Sequence, residues 1–145
     1  MSQIQGYNMP LELYYHPDHT WVKEEADGKL LIGMTELYLE NAGDTTYIDL
    51  PEEDDEVEQG ETAGKVQSSK WVGKLVAPVS GEITEINEDL EDDFMLLNED
   101  PYGEGWIMRI NPSDWDDEKE SLIYGQEQVE AFVKIEIDKL DSDNN

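Results

Sequence analysis

The chain of 145 residues contains no cysteine, which excludes disulfides, thiolate metal sites and a cysteine nucleophile. Basic residues are also scarce, because nine Lys and Arg stand against 37 Asp and Glu, for a formal net charge of −28. Such a surface repels nucleic acids and anionic membranes, so we expect neither as a partner. A saline host is the simplest explanation for acidity of this degree.

Long apolar runs are absent as well. No stretch approaches the ~18 consecutive apolar residues that a transmembrane helix needs. The first seven residues lack the basic and apolar regions of a secretory signal. We therefore expect a cytoplasmic protein, and the chain length fits one domain with a real core. We expect this domain to be a monomer.

Short apolar segments at close spacing predict a mainly β fold, a small barrel or sandwich with helices at its edge. The alternating pattern predicts strands over residues 11–25, 29–33, 45–50, 62–67, 72–76, 82–86 and 105–110. Thr35 as N-cap and Gly43 as the C-terminal stop predict a short helix between the second and third of these strands.

The two ends of the chain differ from this β pattern. Residues 1–10 are predicted to be a flexible lead-in, and the domain proper is predicted to span residues 11–125. An amphipathic stripe predicts a helix over residues 126–140 that packs on the domain, followed by a disordered tail over residues 141–145.

An acid-free run interrupts the acidic sequence at residues 62–81, which hold Lys65, Lys70 and Lys74. Ser68 stands between two predicted strands, and its hydroxyl can bond the backbone two residues on, which favours a four-residue turn. Lys70 would then lie at a hairpin tip, where an enzyme can form an amide on its ε-amine. The alternative is an ordinary solvated lysine, and composition alone favours that alternative.

Other candidate sites are weaker. His16 and His19 have the spacing of paired ligands, but the Pro and Asp between them indicate a turn and no third ligand is evident, so we expect no metal site. The acidic runs do not follow the spacing of calcium loops, and we interpret them as solvated faces: Glu52–Asp55, Glu91–Asp93 and Asp114–Glu120. No catalytic triad or phosphate loop can be recognised, so we expect no enzyme activity.

Across residues 11–125 the chain resembles the H-protein family of the glycine cleavage system. The resemblance is carried by motifs in the same order: His19–Val22, Gly33–Thr35, Gly43–Thr45, Asp49–Pro51, Gly60–Gly64, Ser69–Lys70, Ala77–Ile83 and Asn98–Trp106. It implies the barrel-sandwich hybrid of lipoyl and biotinyl domains, with residues 11–125 as a lipoyl-carrier domain. Lys70 matches the lysine that bears lipoate, with Ser69 and Trp71 as its neighbours in the cofactor site.

The resemblance also implies a mechanism and partners. The cofactor would be lipoate, amide-linked to Lys70, and its sulfurs would supply the chemistry while the protein supplies no catalytic group. The long lysyl-lipoyl arm would raise the effective concentration of a bound intermediate at each enzyme. A lipoate ligase or lipoyl transferase would attach the arm, and glycine decarboxylase, aminomethyltransferase and dihydrolipoyl dehydrogenase would use it.

The chain departs from the family where the lysine lies. The usual context is Glu-Ser-Val-Lys-Ala, whereas this chain has Gln67 and Trp71 at the ends of that motif, and the region beyond Ile123 is longer. These changes resemble the lipoate-binding proteins of heterodisulfide-reductase-like sulfur oxidation, and we favour a role with that complex. The first alternative is an H protein that carries the aminomethyl group in glycine cleavage. The second is a scaffold or binding module that is never lipoylated.

Overall fold

The computed structural model of the chain describes residues 3–4 and 6–143. Eleven strands and five α-helices are formed within these residues, and a single 3₁₀ turn at Lys119–Ser121 precedes the last helix. In chain order they are β1 Gln3–Ile4, β2 Tyr7–Asn8, β3 Tyr14–Tyr15, β4 Thr20–Glu24, β5 Leu30–Met34, α1 Glu36–Ala42, β6 Thr45–Asp49, β7 Glu56–Val57, β8 Thr62–Ser68, β9 Val72–Val76, β10 Gly81–Ile86, α2 Asp89–Asp92, α3 Leu96–Glu99, β11 Met108–Pro112, α4 Trp115–Glu118 and α5 Gln126–Asp143.

Two antiparallel sheets form the body of the fold. The larger sheet has the strand order β3-β4-β5-β11-β10-β7, and the smaller has the order β6-β8-β9. Apolar side chains of both sheets share one core, which includes Val22, Ile32, Val66, Leu75 and Ile83. Mainly β sheets with short helices and a long C-terminal helix are the architecture that the sequence predicts.

A second apolar cluster covers the other side of the larger sheet. Trp21 and Val22 are consecutive on β4 and therefore point to opposite faces, so Val22 enters the main core while Trp21 enters this second cluster. Val129, Phe132 and Val133 of α5 pack there at helical spacing. Helix α5 is thus fixed to the domain by burial.

Helix α1 begins and ends as its caps predict. The Thr35 hydroxyl accepts a hydrogen bond from the Tyr38 backbone N–H at 3.2 Å, which satisfies one of the free donors of the first turn. Gly43 follows the helix with φ 85° and donates its N–H to the Leu39 carbonyl at 3.1 Å. Both predicted caps are confirmed.

The structure differs from the predicted elements in three places. Predicted strand 11–25 is divided into β3 and β4, because the chain reverses at His16 and His19 with a 2.9 Å backbone hydrogen bond. The last strand is Met108–Pro112 and not 105–110, because the Gly105 N–H closes a turn onto the Asp100 carbonyl at 2.8 Å.

The third difference concerns the termini. Within residues 1–10, predicted as a flexible lead-in, β1 and β2 form a small hairpin and Met9 is fully buried, because the second apolar cluster accepts its side chain. Helix α5 continues through Asp143 into the predicted tail 141–145. Residues 1, 2, 5, 144 and 145 of the lead-in and tail predictions lie outside the described residues.

No helix among the described residues combines the length and the apolar character that a membrane crossing requires.

Candidate functional site

The acid-free run forms the hairpin that the sequence predicts. Strands β8 and β9 pair from Thr62↔Val76 to Gln67↔Val72, so residues 68–71 form a four-residue connection. The Ser68 N–H donates to the Trp71 carbonyl at 2.8 Å, and the Trp71 N–H donates to the Ser68 hydroxyl at 3.2 Å. The serine side chain closes the turn as expected, but it bonds the backbone three residues on and not two.

The tip of this hairpin is anchored to the connection between α1 and β6. The Ser69 N–H donates to the Asp44 carbonyl at 3.0 Å, and the Lys70 N–H donates to the Ala42 carbonyl at 3.2 Å. Gly43 lies between these two acceptors, and a Cβ at this glycine would collide with the Ser69 hydroxyl. The backbone of the tip is therefore held by neighbouring residues on both sides of the lysine.

Asn98 stiffens the same connection from the other side. Its amide nitrogen donates to the Gly43 carbonyl at 3.0 Å, and its amide oxygen accepts from the Thr45 N–H at 3.0 Å. One side chain from α3 thus bridges the residues that receive the hairpin tip. Because the carbonyl of Gly43 and the N–H of Thr45 are both paired, the anchor does not depend on solvent.

The side chains at the tip point outward. Lys70 is exposed, and Trp71 is 37% exposed with its ring centroid 5.7 Å from that of Tyr38. The Tyr38 hydroxyl occupies the space above Gly73, where a Cβ would collide with it. Burial raises the pKa of Tyr38 above its usual value, and this hydroxyl has no hydrogen-bond partner among the described residues. The Tyr38 side chain therefore packs beneath the lysine hairpin, against Gly73.

A cleft of about 200 Å³ opens beside Trp71 and Tyr38 and reaches α5. In it, the His19 ring contacts the Thr35 hydroxyl through Nδ1 at 3.0 Å and the Glu136 carboxylate through Nε2 at 2.7 Å. The same Thr35 hydroxyl accepts from the Tyr38 backbone N–H. Because the ionised carboxylate of Glu136 can only accept, the His19 Nε2–H donates to it.

The carboxylate of Glu136 also pairs with the Lys139 ammonium at 2.9 Å. The hydrogen bond from His19, with Lys139 as the smaller contributor, holds the pKa of Glu136 below its usual value despite partial burial. The cleft thus combines two aromatic rings with a fixed imidazole–carboxylate pair.

The structure separates the two histidines that the sequence places three residues apart. His16 Nδ1 accepts from the Asp18 N–H at 3.1 Å, and burial lowers the pKa of this imidazole. His19 instead contacts Thr35 and Glu136. Within the described residues, no group of three or more His, Asp or Glu side chains is arranged to hold a metal ion.

Sequence reasoning missed Tyr38, Gly73 and Glu136 as parts of this site. A signal existed for Gly73, because a glycine inside a strand indicates that another group approaches closely. No local signal could identify Glu136, whose partner is 117 residues away along the chain.

The sequence of this chain is similar to a known protein family over most of its length. The sequence profile of the family described as "Glycine cleavage H-protein" matches residues 13–136. A "Probable glycine cleavage system H protein" of Thermococcus gammatolerans is 42% identical over 134 residues, covering 92% of this chain and 96% of the relative. The "Glycine cleavage system H protein" of Oceanobacillus iheyensis is 43% identical over 127 residues, covering 88% and 98%.

A solved structure agrees. The crystal structure of a glycine cleavage system H protein from Mycobacterium marinum aligns with a TM-score of 0.68 at 37% identity, covering 72% of this chain and 87% of that one. This likeness confirms the predicted fold class. Fold and relatives together define the class of the protein as a lipoyl-type carrier, a class without catalytic activity of its own.

More particularly, the chain belongs to the glycine cleavage H-protein family. The expected preference for heterodisulfide-reductase-like sulfur oxidation has no support in these relatives, which are named for glycine cleavage. That preference depended on Trp71, Gln67 and the longer region beyond Ile123. The packing of Trp71 on Tyr38 gives the large ring a local partner, so its presence needs no change of pathway.

Proposed function

We propose that this chain is the lipoyl carrier of a glycine cleavage system, with lipoate amide-linked to the Lys70 Nζ. The observation that carries the proposal is the contrast at the hairpin tip between a fixed backbone and a free side chain. The Lys70 N–H is hydrogen bonded to Ala42, whereas its side chain is exposed and, within the described residues, in no ion pair.

The residues present fit such a group. Lys70 offers an accessible primary amine for the amide bond, and Ser69 and Trp71 flank it. When bound, the dithiolane supplies the sulfur chemistry by which a one-carbon amine unit is carried between enzymes. The indole of Trp71 offers a polarisable apolar surface beside the root of the arm. The absence of cysteine means that no thiol of the protein can exchange with the dithiolane.

The chain itself performs two tasks in this proposal. The hydrogen bonds of Ser69 and Lys70 to the α1–β6 connection fix the point from which the arm leaves the surface. A fixed root limits the volume that the arm searches, which raises its effective concentration at an enzyme docked nearby. The partners that follow are a lipoate-attaching enzyme, glycine decarboxylase, aminomethyltransferase and dihydrolipoyl dehydrogenase.

Attachment of lipoate is the first test. Apo protein is incubated with lipoate ligase, ATP and lipoate, and the product is mapped by peptide mass spectrometry. We expect one lipoyl group per chain on Lys70, and complete loss of incorporation in Lys70→Arg. Lys65→Arg and Lys74→Arg are the matched controls and should accept lipoate as the unaltered protein does. Incorporation on Lys65 or Lys74, or persistence in Lys70→Arg, would contradict the assignment.

A reconstituted glycine decarboxylase assay tests the pathway. We expect the lipoylated protein to support glycine decarboxylation and Lys70→Arg to support none. Full lipoylation without activity as a carrier would retain Lys70 as the attachment site and refute the glycine cleavage role.

A further inference from the structure

The outward face of the β6-β8-β9 sheet borders the Lys70 tip and carries an unusual set of side chains. Its cross-strand pairs form two rows that run from β6 across β8 to β9. The row nearer the tip is Tyr47, Gln67 and Val72, and the next row is Asp49, Lys65 and Lys74. We call these six residues the lysine face.

Large apolar side chains are exposed on and beside this face. Val72 is 68% exposed and Tyr47 is 46% exposed, and Trp71 adjoins them at the tip. These are three of the five large hydrophobic side chains that are exposed among the described residues. Clustered exposed apolar groups with a polar rim are typical of a protein-binding surface.

The charge of the lysine face is opposite to that of the chain. Lys65 and Lys74 lie directly across from each other on β8 and β9, an arrangement of like charges that destabilises a sheet. Neither forms an ion pair with any residue in the described ranges. The three strands hold a single acidic residue, Asp49 on β6, which lies across from Lys65, so the two lysines outnumber the one carboxylate on this face. Within this sheet, the positive charge lies on the two strands that lead to Lys70.

We propose that the lysine face docks the enzyme that attaches lipoate to Lys70, and that this enzyme presents an apolar depression rimmed by Asp and Glu. The inference rests on the proposed function. An attaching enzyme must bring its reactive centre to the lysine Nζ itself, so it has to cover the flanks of the hairpin. Enzymes that act later meet the far end of a long arm and need no contact there.

Distance and charge support this choice of partner. Lys65 and Lys74 are five and four residues from Lys70, and therefore within about 20 Å along the strands. Elsewhere the chain of net charge −28 repels an acid-rimmed partner, so the lysine face is where such a partner is attracted. Complementary charge of this kind selects orientation and speeds association.

The test compares two double charge reversals. Lys65→Glu/Lys74→Glu alters the lysine face, and Lys23→Glu/Lys134→Glu alters exposed lysines on β4 and α5. Each Lys→Glu change removes two units of charge, so both variants go from −28 to −32. Steady-state lipoylation of each apo protein is measured with the lipoate ligase of the same organism, ATP and lipoate.

We expect kcat/KM for Lys65→Glu/Lys74→Glu to fall about tenfold or more, through KM, while kcat and the control variant stay close to the unaltered protein. Added salt should slow lipoylation of the unaltered protein, have little effect on Lys65→Gln/Lys74→Gln and speed lipoylation of Lys65→Glu/Lys74→Glu, because salt screens attraction in the first case and repulsion in the last. Lys65→Gln/Lys74→Gln should show a smaller rise in KM. Equal melting temperatures of the variants exclude unfolding as the cause.

Equal KM values for the two double reversals would overturn the docking proposal, and the lysines would then serve only to protect the exposed edge of β9. Failure of the unaltered protein to accept lipoate at Lys70 is a different result. It would refute the proposed function itself, so the two failures are distinguishable.

Discussion

The two ends of the β8–β9 hairpin differ in charge and in packing. At the tip, the turn that carries Lys70 is hydrogen bonded to the α1–β6 connection, and the flanking strands contain no acidic residue. At the open end, carboxylates line a cleft of about 920 Å³ between β7, β10 and the segment after β11. These carboxylates belong to Glu56, Glu58, Glu61, Glu82, Asp114 and Glu118.

The open end is stabilised by polar groups that offset some of this charge. The Ser80 N–H and hydroxyl donate to the two oxygens of Glu118 at 2.7 and 2.6 Å. At the tip, by contrast, the Lys70 amine forms no ion pair with a carboxylate among the described residues. The acidity of the chain is thus unevenly distributed, and the hairpin tip combines a hydrogen-bonded backbone with an exposed lysine amine.

Packing beneath the tip gives the largest expected effect. Gly73→Ala places a methyl group where the Tyr38 hydroxyl lies, so either β9 or the tyrosine has to shift. We expect the free energy of unfolding to fall by about 1–3 kcal/mol, the usual cost of overpacking. Urea unfolding followed by tryptophan fluorescence measures this change.

The control for this substitution is the double variant Tyr38→Ala/Gly73→Ala. If the collision is the cause, Gly73→Ala should cost much less in the Tyr38→Ala background, which gives a favourable coupling free energy. Additive effects of the two substitutions would show that a methyl group at residue 73 does not collide with Tyr38.

The imidazole–carboxylate pair behind the tip gives a smaller, pH-dependent effect. Glu136→Gln keeps an oxygen acceptor for His19 but removes the negative charge, and we expect a loss of about 1 kcal/mol at pH 7. The pKa of Glu136 is lowered on folding, so its stabilising contribution is present above the unfolded value of about 4.3 and disappears as the pH falls through the lower folded value. Unfolding free energies of both proteins should therefore converge in acid. A difference that is constant with pH would contradict an ionic contribution.

Asp114, at the open end of the hairpin, should show the opposite pH dependence of stability, and the expected effect is the smallest of the three. Repulsion, chiefly from Asp117, raises the pKa of Asp114, so the folded state loses stability as the pH rises through that raised value. Asp114→Asn should consequently raise the melting temperature slightly at pH 7 and leave it unchanged in acid, where the carboxyl is protonated in both states. A lower melting temperature at pH 7 would refute repulsion as the dominant influence on Asp114.

Local chemistry in the sequence predicts the parts of this structure that depend on neighbouring residues. Thr35 and Gly43 define α1, and the acid-free run with Ser68 indicates a hairpin with Lys70 at its tip, because caps and turns depend on side chains a few residues apart. The anchor between Lys70 and Ala42 and the pair of His19 with Glu136 could not be predicted in this way. They join segments that only the tertiary fold brings together.

The pathway could not be predicted from the lysine motif alone for the same reason. In the sequence, the large residue at position 71 next to Lys70 suggests a changed partner. In the fold, Trp71 packs on Tyr38, and Tyr38 in turn requires Gly73. These three residues form a local packing unit, so a departure from a family motif can reflect packing without a change of function.

The modification state of Lys70 in the cells that make this protein tests the central claim most directly. Trypsin cuts after unmodified lysines, so Lys65 and Lys74 should be cleaved while a lipoylated Lys70 resists cleavage. We predict an intact peptide of residues 66–74 that carries one lipoyl group. A cleaved, unmodified peptide of residues 66–70, with no lipoylated counterpart, would contradict the assignment of this chain as a lipoyl carrier.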